Sequence, residues 1–307
     1  MGHATHGPLL DALRGLRWPA RRAVGAAPPG THRSRQKGTA GEFTEYRLYR
    51  QGDDPRALDW RLLARSDRAF VRLSDDRALL TTWLVVDGSA SMAFPEESAG
   101  KWRLAQELAV GLAAVAHASS DPVGLLVVHG AGVTRVPPRT RRGTVQELAR
   151  VLGELQPGGS APLAPHIAAL PTNARIVVIT DCLGDLLDLQ KVAGAHGAAG
   201  ALVECVHVVA REEIDPPAGT FLLRDPERDV ERDVERDAAN AVRTSEPVLD
   251  ARGRDGYRER FAQFRRDTAQ QWRRLGAGYT EVVTGANAAR GVRAVVMAAA
   301  APIEGAR

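Results

Sequence analysis

Residues 81–92 read TTWLVVDGSASM, a short apolar run that ends in a carboxylate and two serines. Trp83, Leu84, Val85 and Val86 form an unbroken apolar block, the pattern of a strand buried on both faces in a parallel sheet covered by helices. Behind the block, Asp87, Ser89 and Ser91 alternate with the small residues Gly88 and Ala90. Ligands of open α/β sheets sit beyond the carboxyl ends of the strands. Three hard oxygen donors at i, i+2 and i+4 in that position suit Mg²⁺, which takes oxygen ligands and few protein carboxylates. The same residues equally suit a cap on the helix expected from Lys101, because Asp and Ser accept bonds from free backbone N–H groups. The nucleophile-elbow pattern G-x-S-x-G fails, since Asp87 and Ser91 stand where glycines belong.

The chain has 307 residues, 44% of them hydrophobic and 5% aromatic, enough for a sizeable core in one large domain or two ordinary ones. No apolar run reaches the ~18 residues of a membrane span, and residues 1–25 lack the apolar core and cleavage site of a signal peptide. Cys182 and Cys205 are the only cysteines, too few for a disulfide framework or a structural zinc site. A reducing cytoplasm is the expected setting. The net charge of +4 is uneven: residues 1–40 hold seven Arg or Lys against Asp11, which is +6, and the remainder carries −2. A basic arm can touch nucleic acid or anionic lipid. No stacking platform or binding motif accompanies it, so no specific nucleic-acid role is expected.

Strand and helix patterns alternate along the chain. Leu9, Leu10, Leu13 and Leu16 predict an amphipathic helix over residues 8–25, followed by a loop over 26–39. After the opening strand, helical spacing covers residues 101–118, with Leu104, Leu108, Leu112 and Val115 on one face. Apolar runs at 123–129, 175–180 and 201–209 read as core strands, 133–136 as a short edge strand. Helical stretches at 145–155, 163–170 and 186–196 separate them. Residues 221–223 and 279–283 predict further strands, 256–275 and 286–300 helices. This alternation predicts a doubly wound, mostly parallel α/β sheet. Asp181 follows the third core strand as Asp87 follows the first. The repeat RDPE-RDVE-RDVE-RD at 224–237 reads as a solvated insertion, since i, i+3 ion pairs contribute only a few tenths of a kcal/mol each. His129 and His207, on strands, read as packed core residues.

Residues 41–73 read GEFTEYRLYRQGDDPRALDWRLLARSDRAFVRL, where aromatics interleave with Glu45, Arg47, Tyr49, Gly52, Asp53, Arg56, Asp59, Trp60 and Arg65. Such dense charge predicts a platform braced by Arg–carboxylate forks, or a surface that reads a partner. The ordered signature G-E-F-x-E-Y-R-x-Y-x-x-G-D-D-x-R-x-x-D-W, then V-R-L and V-V-D-G-S-A-S-M, resembles the family called domain of unknown function 58, from about His32 to the C-terminus. That resemblance implies three parts: a basic arm at 1–40, a signature segment at 41–78 packed on the core, and a von Willebrand factor A-like domain at 79–307.

The resemblance also implies a metal-ion-dependent adhesion site. Carried onto this chain, D-x-S-x-S becomes Asp87, Ser89 and Ser91; the hydroxyl of a second loop becomes Ser160; the aspartate of a third becomes Asp181. Relatives usually read G-G-T-D-L in the second loop, whereas this chain reads Gly158-Gly159-Ser160-Ala161-Pro162-Leu163, which keeps a hydroxyl and loses the acid. The implied partner is a MoxR-type AAA+ ATPase, the implied role a non-enzymatic adaptor in assembly or maturation of client proteins, and the implied ion Mg²⁺. Two other readings stay open: a metal-dependent hydrolase or nuclease using Asp87, Asp181 and Asp53/Asp54, and a structural domain with no ion.

Overall fold

The apolar runs become the middle of one sheet because every second residue of each finds a different helical layer. The structure is a computed structural model describing residues 6–18, 29–50, 58–66, 68–217, 221–222, 248–249 and 251–299. Its main sheet has six strands: β3 (Thr82–Gly88), β4 (Val123–His129), β5 (Gly132–Arg139), β6 (Arg175–Thr180), β7 (Leu202–Val209) and β10 (Gly278–Val283). Their order is β10-β7-β6-β3-β4-β5, parallel throughout except for β5, which pairs antiparallel with β4 at one edge. The expected doubly wound α/β architecture is therefore the observed one.

Period-two side-chain alternation divides the core. Leu84, Val86, Leu125, Val127, Val177, Ile179, Val206 and Val208 join one apolar cluster with Leu104, Leu108 and Leu112 of α3 (Gly100–Ala118) and Val292 and Val295 of α9 (Ala288–Ala298). Trp83, Val85, Leu126, Val128, Ile176, Val178, Val203 and Cys205 join the other with Ile167 of α5 (Ala164–Ala168), Leu189 of α6 (Leu186–Ala198) and Trp272 of α8 (Ala251–Arg274). Burying each large aliphatic chain contributes about 1.5–3 kcal/mol, so the two layers fix the register as well as the fold. A one-residue slip of β3 would exchange them.

Two N-terminal expectations are corrected. Of the helix expected over 8–25, the described residues 8–18 keep α1 (Gly7–Ala12), after which a turn through Gly15 (φ +77°) leads on to Trp18, and residues 19–25 lie outside the described residues. Leu13 and Trp18 are buried in the α3–α9 layer, so tertiary packing replaces helix propagation there. The stretch 26–39, expected as a loop, is strand from Pro29: β1 (Pro29–Leu48) pairs antiparallel with β2 (Phe70–Ala78), with several register shifts. Main-chain pairing needs no apolar alternation, and this polar stretch displayed none. The remaining short elements are α2 (Trp60–Ser66), α4 (Thr144–Glu154), α7 (Arg211–Ile214), β8 (Phe221–Leu222) and β9 (Val248–Leu249). The repeat at 224–237 lies outside the described residues. No described helix is long and apolar enough to cross a membrane.

Candidate functional site

Sheet register brings the sequence-distant polar groups to one level. Val86 of β3 stands opposite Ile179 of β6, so Asp87 and Thr180 are neighbours just beyond, and Thr180 donates to Asp87 Oδ2 at 2.6 Å. The Ser89 N–H donates to Asp87 Oδ1 at 2.9 Å, turning the chain so that the Ser89 and Ser91 hydroxyls meet at 3.0 Å. All four side chains are buried. The second loop is stitched beside them by main-chain bonds: Gly158 N–H to Gly88 O (2.9 Å), Ala90 N–H to Gly159 O (2.9 Å) and Gly130 N–H to Gly158 O (2.7 Å). Gly159 adopts φ +66°, and a Cβ there would stand 2.7 Å from Gly130 Cα, so this approach requires glycine. Ser160 emerges from it exposed, facing the same pocket as Asp87 and Ser89.

Asp181, one residue past β6, is buried on a different partner. Its Oδ2 accepts from Lys101 Nζ at 2.7 Å and its Oδ1 from the Leu183 N–H at 3.2 Å. The Lys101 ammonium, 1% exposed, also donates to Glu213 Oε1 at 2.8 Å. The other oxygen of Glu213 accepts from the Ala210 N–H at the start of α7. Burial works against the ammonium, yet the Asp181 and Glu213 carboxylates outweigh it, so the Lys101 pKa stands above its usual value. Asp87 has no such counter-ion among the described residues. Burial, then the nearby Asp181 charge, push its pKa to about 7, against the opposing hydrogen bonds from Thr180 and Ser89.

The structure thus gathers Asp87, Ser89 and Ser91 into one wall, turns Ser160 towards them, and places Asp181 close enough for its charge to be felt. Thr180, Lys101 and Glu213 escaped the sequence reading. Lys101 did leave a signal, being a lysine three residues before Leu104 on the buried face of α3. Thr180 and Glu213 left none. The pocket, about 360 Å³ where it opens to solvent, is also lined by Pro162, Cys182, Asp185, Leu186 and Leu189. Among the described residues no three His, Cys, Asp or Glu side chains converge as ligands for one metal ion. What the wall offers a cation is one carboxylate plus hydroxyls, hard donors that fit Mg²⁺ or Mn²⁺ rather than zinc. Asp87 with the Ser89 and Ser91 hydroxyls is thus a donor set whose chemistry fits a hard divalent ion.

Elsewhere, His207 is the packed core residue expected: its Nδ1 bonds the Tyr279 hydroxyl at 2.6 Å, and burial holds its pKa down at about 4. His129 is half-buried and bonds Thr134. Cys182 and Cys205 are free thiols with their sulfurs 3.9 Å apart. Of the signature residues, Gly52, Asp53 and Arg56 lie outside the described residues, as does Asp54. Glu45 and Arg47 fall on β1, opposite Leu73 and Val71. The Tyr49 N–H bonds Ala69 O, while Asp59 Oδ1 caps α2 by accepting from Arg61 and Leu62 N–H. Trp60 and Arg65 are exposed on α2. Tyr49, Asp59, Trp60 and Arg65 are not among the residues that line the pocket at the sheet edge.

Comparison with known proteins places the chain. A family model described as protein of unknown function DUF58 matches residues 45–252. Uncharacterised proteins of Mycobacterium tuberculosis and Mycobacterium bovis are each 31% identical over 279 residues, covering 88% of this chain and 83% of theirs. The chain belongs to the DUF58 family. Among solved structures, BatB from Bacteroides thetaiotaomicron, a conserved hypothetical protein, is 16% identical with a TM-score of 0.44, covering 72% of this chain and 98% of its own. An aerotolerance-related membrane protein from Bacteroides fragilis, with multiple mutations to serines, is 15% identical with the same TM-score and coverages. The von Willebrand A domain of SpRpn10 is 11% identical with a TM-score of 0.39, covering 74% and 97%.

Proposed function

We propose that this protein is a non-enzymatic adaptor that binds protein partners through the C-terminal edge of its sheet, using a Mg²⁺ ion held by Asp87, Ser89 and Ser91, with Ser160 and Asp181 completing the site. One observation carries the reading: three oxygen donors from one loop form a single buried wall, and the carboxylate among them is hydrogen-bonded but has no counter-ion among the described residues. A divalent ion there supplies a Lewis-acidic anchor for an incoming carboxylate. The surroundings suit a protein surface, because Leu183 and Leu187 stand exposed beside the pocket, Leu187 at 70%. Large apolar side chains next to a polar anchor are the composition of an interface core and its specificity group.

The family resemblance supplies the partner class, a MoxR-type AAA+ ATPase acting with this adaptor in assembly or maturation of clients. The test is co-purification of that ATPase with the wild-type chain and with Asp87→Ala, in buffers containing Mg²⁺ or EDTA, folding being checked by circular dichroism. Capture that depends on Mg²⁺ and is lost in the variant supports the adaptor. Capture indifferent to both overturns the metal bridge, and metal-dependent hydrolysis lost in Asp87→Ala would make the protein an enzyme.

A further inference from the structure

Lys101 is the feature that the donor wall does not explain. Besides Asp185, which accepts from the Ala164 N–H, the sheet edge holds the carboxylates of Asp87, Asp181 and Glu213. The Lys101 ammonium bonds two of them, while Asp87 is bonded by the neutral groups of Ser89 and Thr180. The lysine is no surface ion pair. It starts the buried face of α3, is 1% exposed, and its Nζ lies 5.7 Å from the centre of the Phe94 ring at the end of the loop carrying Ser89 and Ser91. A fixed unit charge bonded to Asp181 would repel a divalent ion held at this edge, and in a poorly screened site such a repulsion alters affinity by an order of magnitude or more.

We propose that Lys101 sets the cation affinity of the site: by holding Asp181 in an ammonium–carboxylate pair it keeps that carboxylate from direct coordination, and Glu213, by sharing the ammonium, moderates the effect. The inference rests on reading the edge as a divalent-cation site. It assigns the lysine a positioning role. It also explains the division of labour between the two aspartates: Asp87, bonded by neutral groups, is available to a cation, whereas Asp181 has already found one. Because Glu213 belongs to α7, whatever moves that helix changes how much of the ammonium Asp181 retains. Cation affinity and the position of α7 are thereby linked, through a bond at either end of one side chain.

Mn²⁺ is the probe, its binding to the full chain followed by titration calorimetry and electron paramagnetic resonance at pH 8. Lys101→Met is expected to bind Mn²⁺ at least about tenfold more tightly than the wild type, a direction that structural damage would not produce. Glu213→Gln is expected to weaken binding about two- to fivefold, because the ammonium then acts undivided on Asp181. The double variant Lys101→Met/Glu213→Gln removes the cation together with one carboxylate it neutralises, so it serves if the single lysine variant fails to fold; it is expected to bind at least about tenfold more tightly than Glu213→Gln. If the lysine variants bind no more tightly while Asp87→Ala abolishes binding, the role of Lys101 is overturned and the site reading stands. If Asp87→Ala binds as the wild type does, or no variant binds millimolar Mn²⁺, the site reading itself fails and this inference with it.

Discussion

Strand β6 begins at one buried charge, Arg175, and is followed directly by another, Asp181, and its two ends have opposite designs. At the amino end, Arg175 is 1% exposed and every direction from its guanidinium meets a partner: Trp18 O at 3.1 Å, Thr82 Oγ1 at 3.3 Å, Asp121 Oδ2 at 3.5 Å, and the Trp18 ring at 4.2 Å from its central carbon. Asp121 in turn accepts from the Leu80 N–H. Burial lowers the Arg175 pKa to about 10 despite the Asp121 and Glu204 charges, which still leaves it fully ionised at neutral pH. At the carboxyl end, carboxylates outnumber the cation, hydroxyls face one another, and a pocket opens to water. The first arrangement is a lock that ties the N-terminal segment to the base of the sheet. The second holds unspent charge, and unspent charge at a pocket is what a binding site is made of.

Removing the guanidinium tests the lock most severely. Arg175→Ala leaves Asp121 buried beside a cavity, and breaking one partner out of a buried pair costs about 3–5 kcal/mol. Chemical denaturation should therefore show a larger loss than any single change at the carboxyl end of the strand, with Mn²⁺ binding by the folded fraction unaltered. A loss below about 1 kcal/mol, the level of a surface ion pair, would mean the two ends are not different in kind.

The carboxyl end should respond in the opposite sense. Asp87 has a folded pKa of about 7 against an ordinary aspartate value of 3.8. A raised folded pKa means that this group's contribution to stability is fully present below the unfolded pKa and is lost as pH rises through the folded one. In metal-free buffer, Asp87→Asn should thus gain stability relative to the wild type between pH 5 and pH 8, by about 2–3 kcal/mol. Added Mg²⁺ should raise the melting temperature of the wild type and leave the variant unmoved. A gap between the two proteins that is constant with pH would show that Asp87 is not strained by its charge, and the contrast with Arg175 would lose its basis.

Thr180→Val sharpens the same point on a smaller scale. It keeps the shape and removes a hydroxyl that both donates to Asp87 Oδ2 and accepts from the Cys182 N–H at 3.0 Å. Losing a hydrogen bond to a charged group costs about 1.5–3 kcal/mol, less where the acceptor can protonate instead. The loss should shrink below pH 6 and grow towards pH 8, since the missing bond favours the ionised form of Asp87; urea denaturation at the two pH values measures it.

The four core strands were legible because each is an apolar run of the right length between turn residues, and Asp87 and Asp181 were legible because each ends such a run. The charge balance was not. Lys101 lies 80 residues from Asp181 and 112 from Glu213, and only the packing of α3 and α7 against the sheet edge brings the three together. The lock was hidden for the same reason: Arg175 and Trp18 are 157 residues apart, and no local pattern around either marks the contact. The polar strand β1 carried no alternation to read. Local patterns report which faces are buried, but the pairing of charges is a property of the assembled layers.

Ser160 gives the smallest effect and the finest discrimination. Its loop is fixed by main-chain bonds from Gly158 and Gly159, so replacing its side chain should leave the fold unchanged to within about 0.5 kcal/mol, as for other exposed positions. The neighbouring Ala161 and Pro162 supply no hydroxyl or carboxylate, so Ser160 is the only oxygen-bearing side chain among residues 158–163. A neutral hydroxyl among several oxygen ligands contributes modestly to holding a divalent ion, so Ser160→Ala should weaken Mn²⁺ binding by about two- to fivefold, roughly 1 kcal/mol or less. Ser160→Thr, which keeps the hydroxyl, should retain the wild-type affinity. Equal affinity in all three proteins would place Ser160 on the pocket rim, where it touches a partner but no ion, and would leave the cation to the wall formed by Asp87, Ser89 and Ser91 alone.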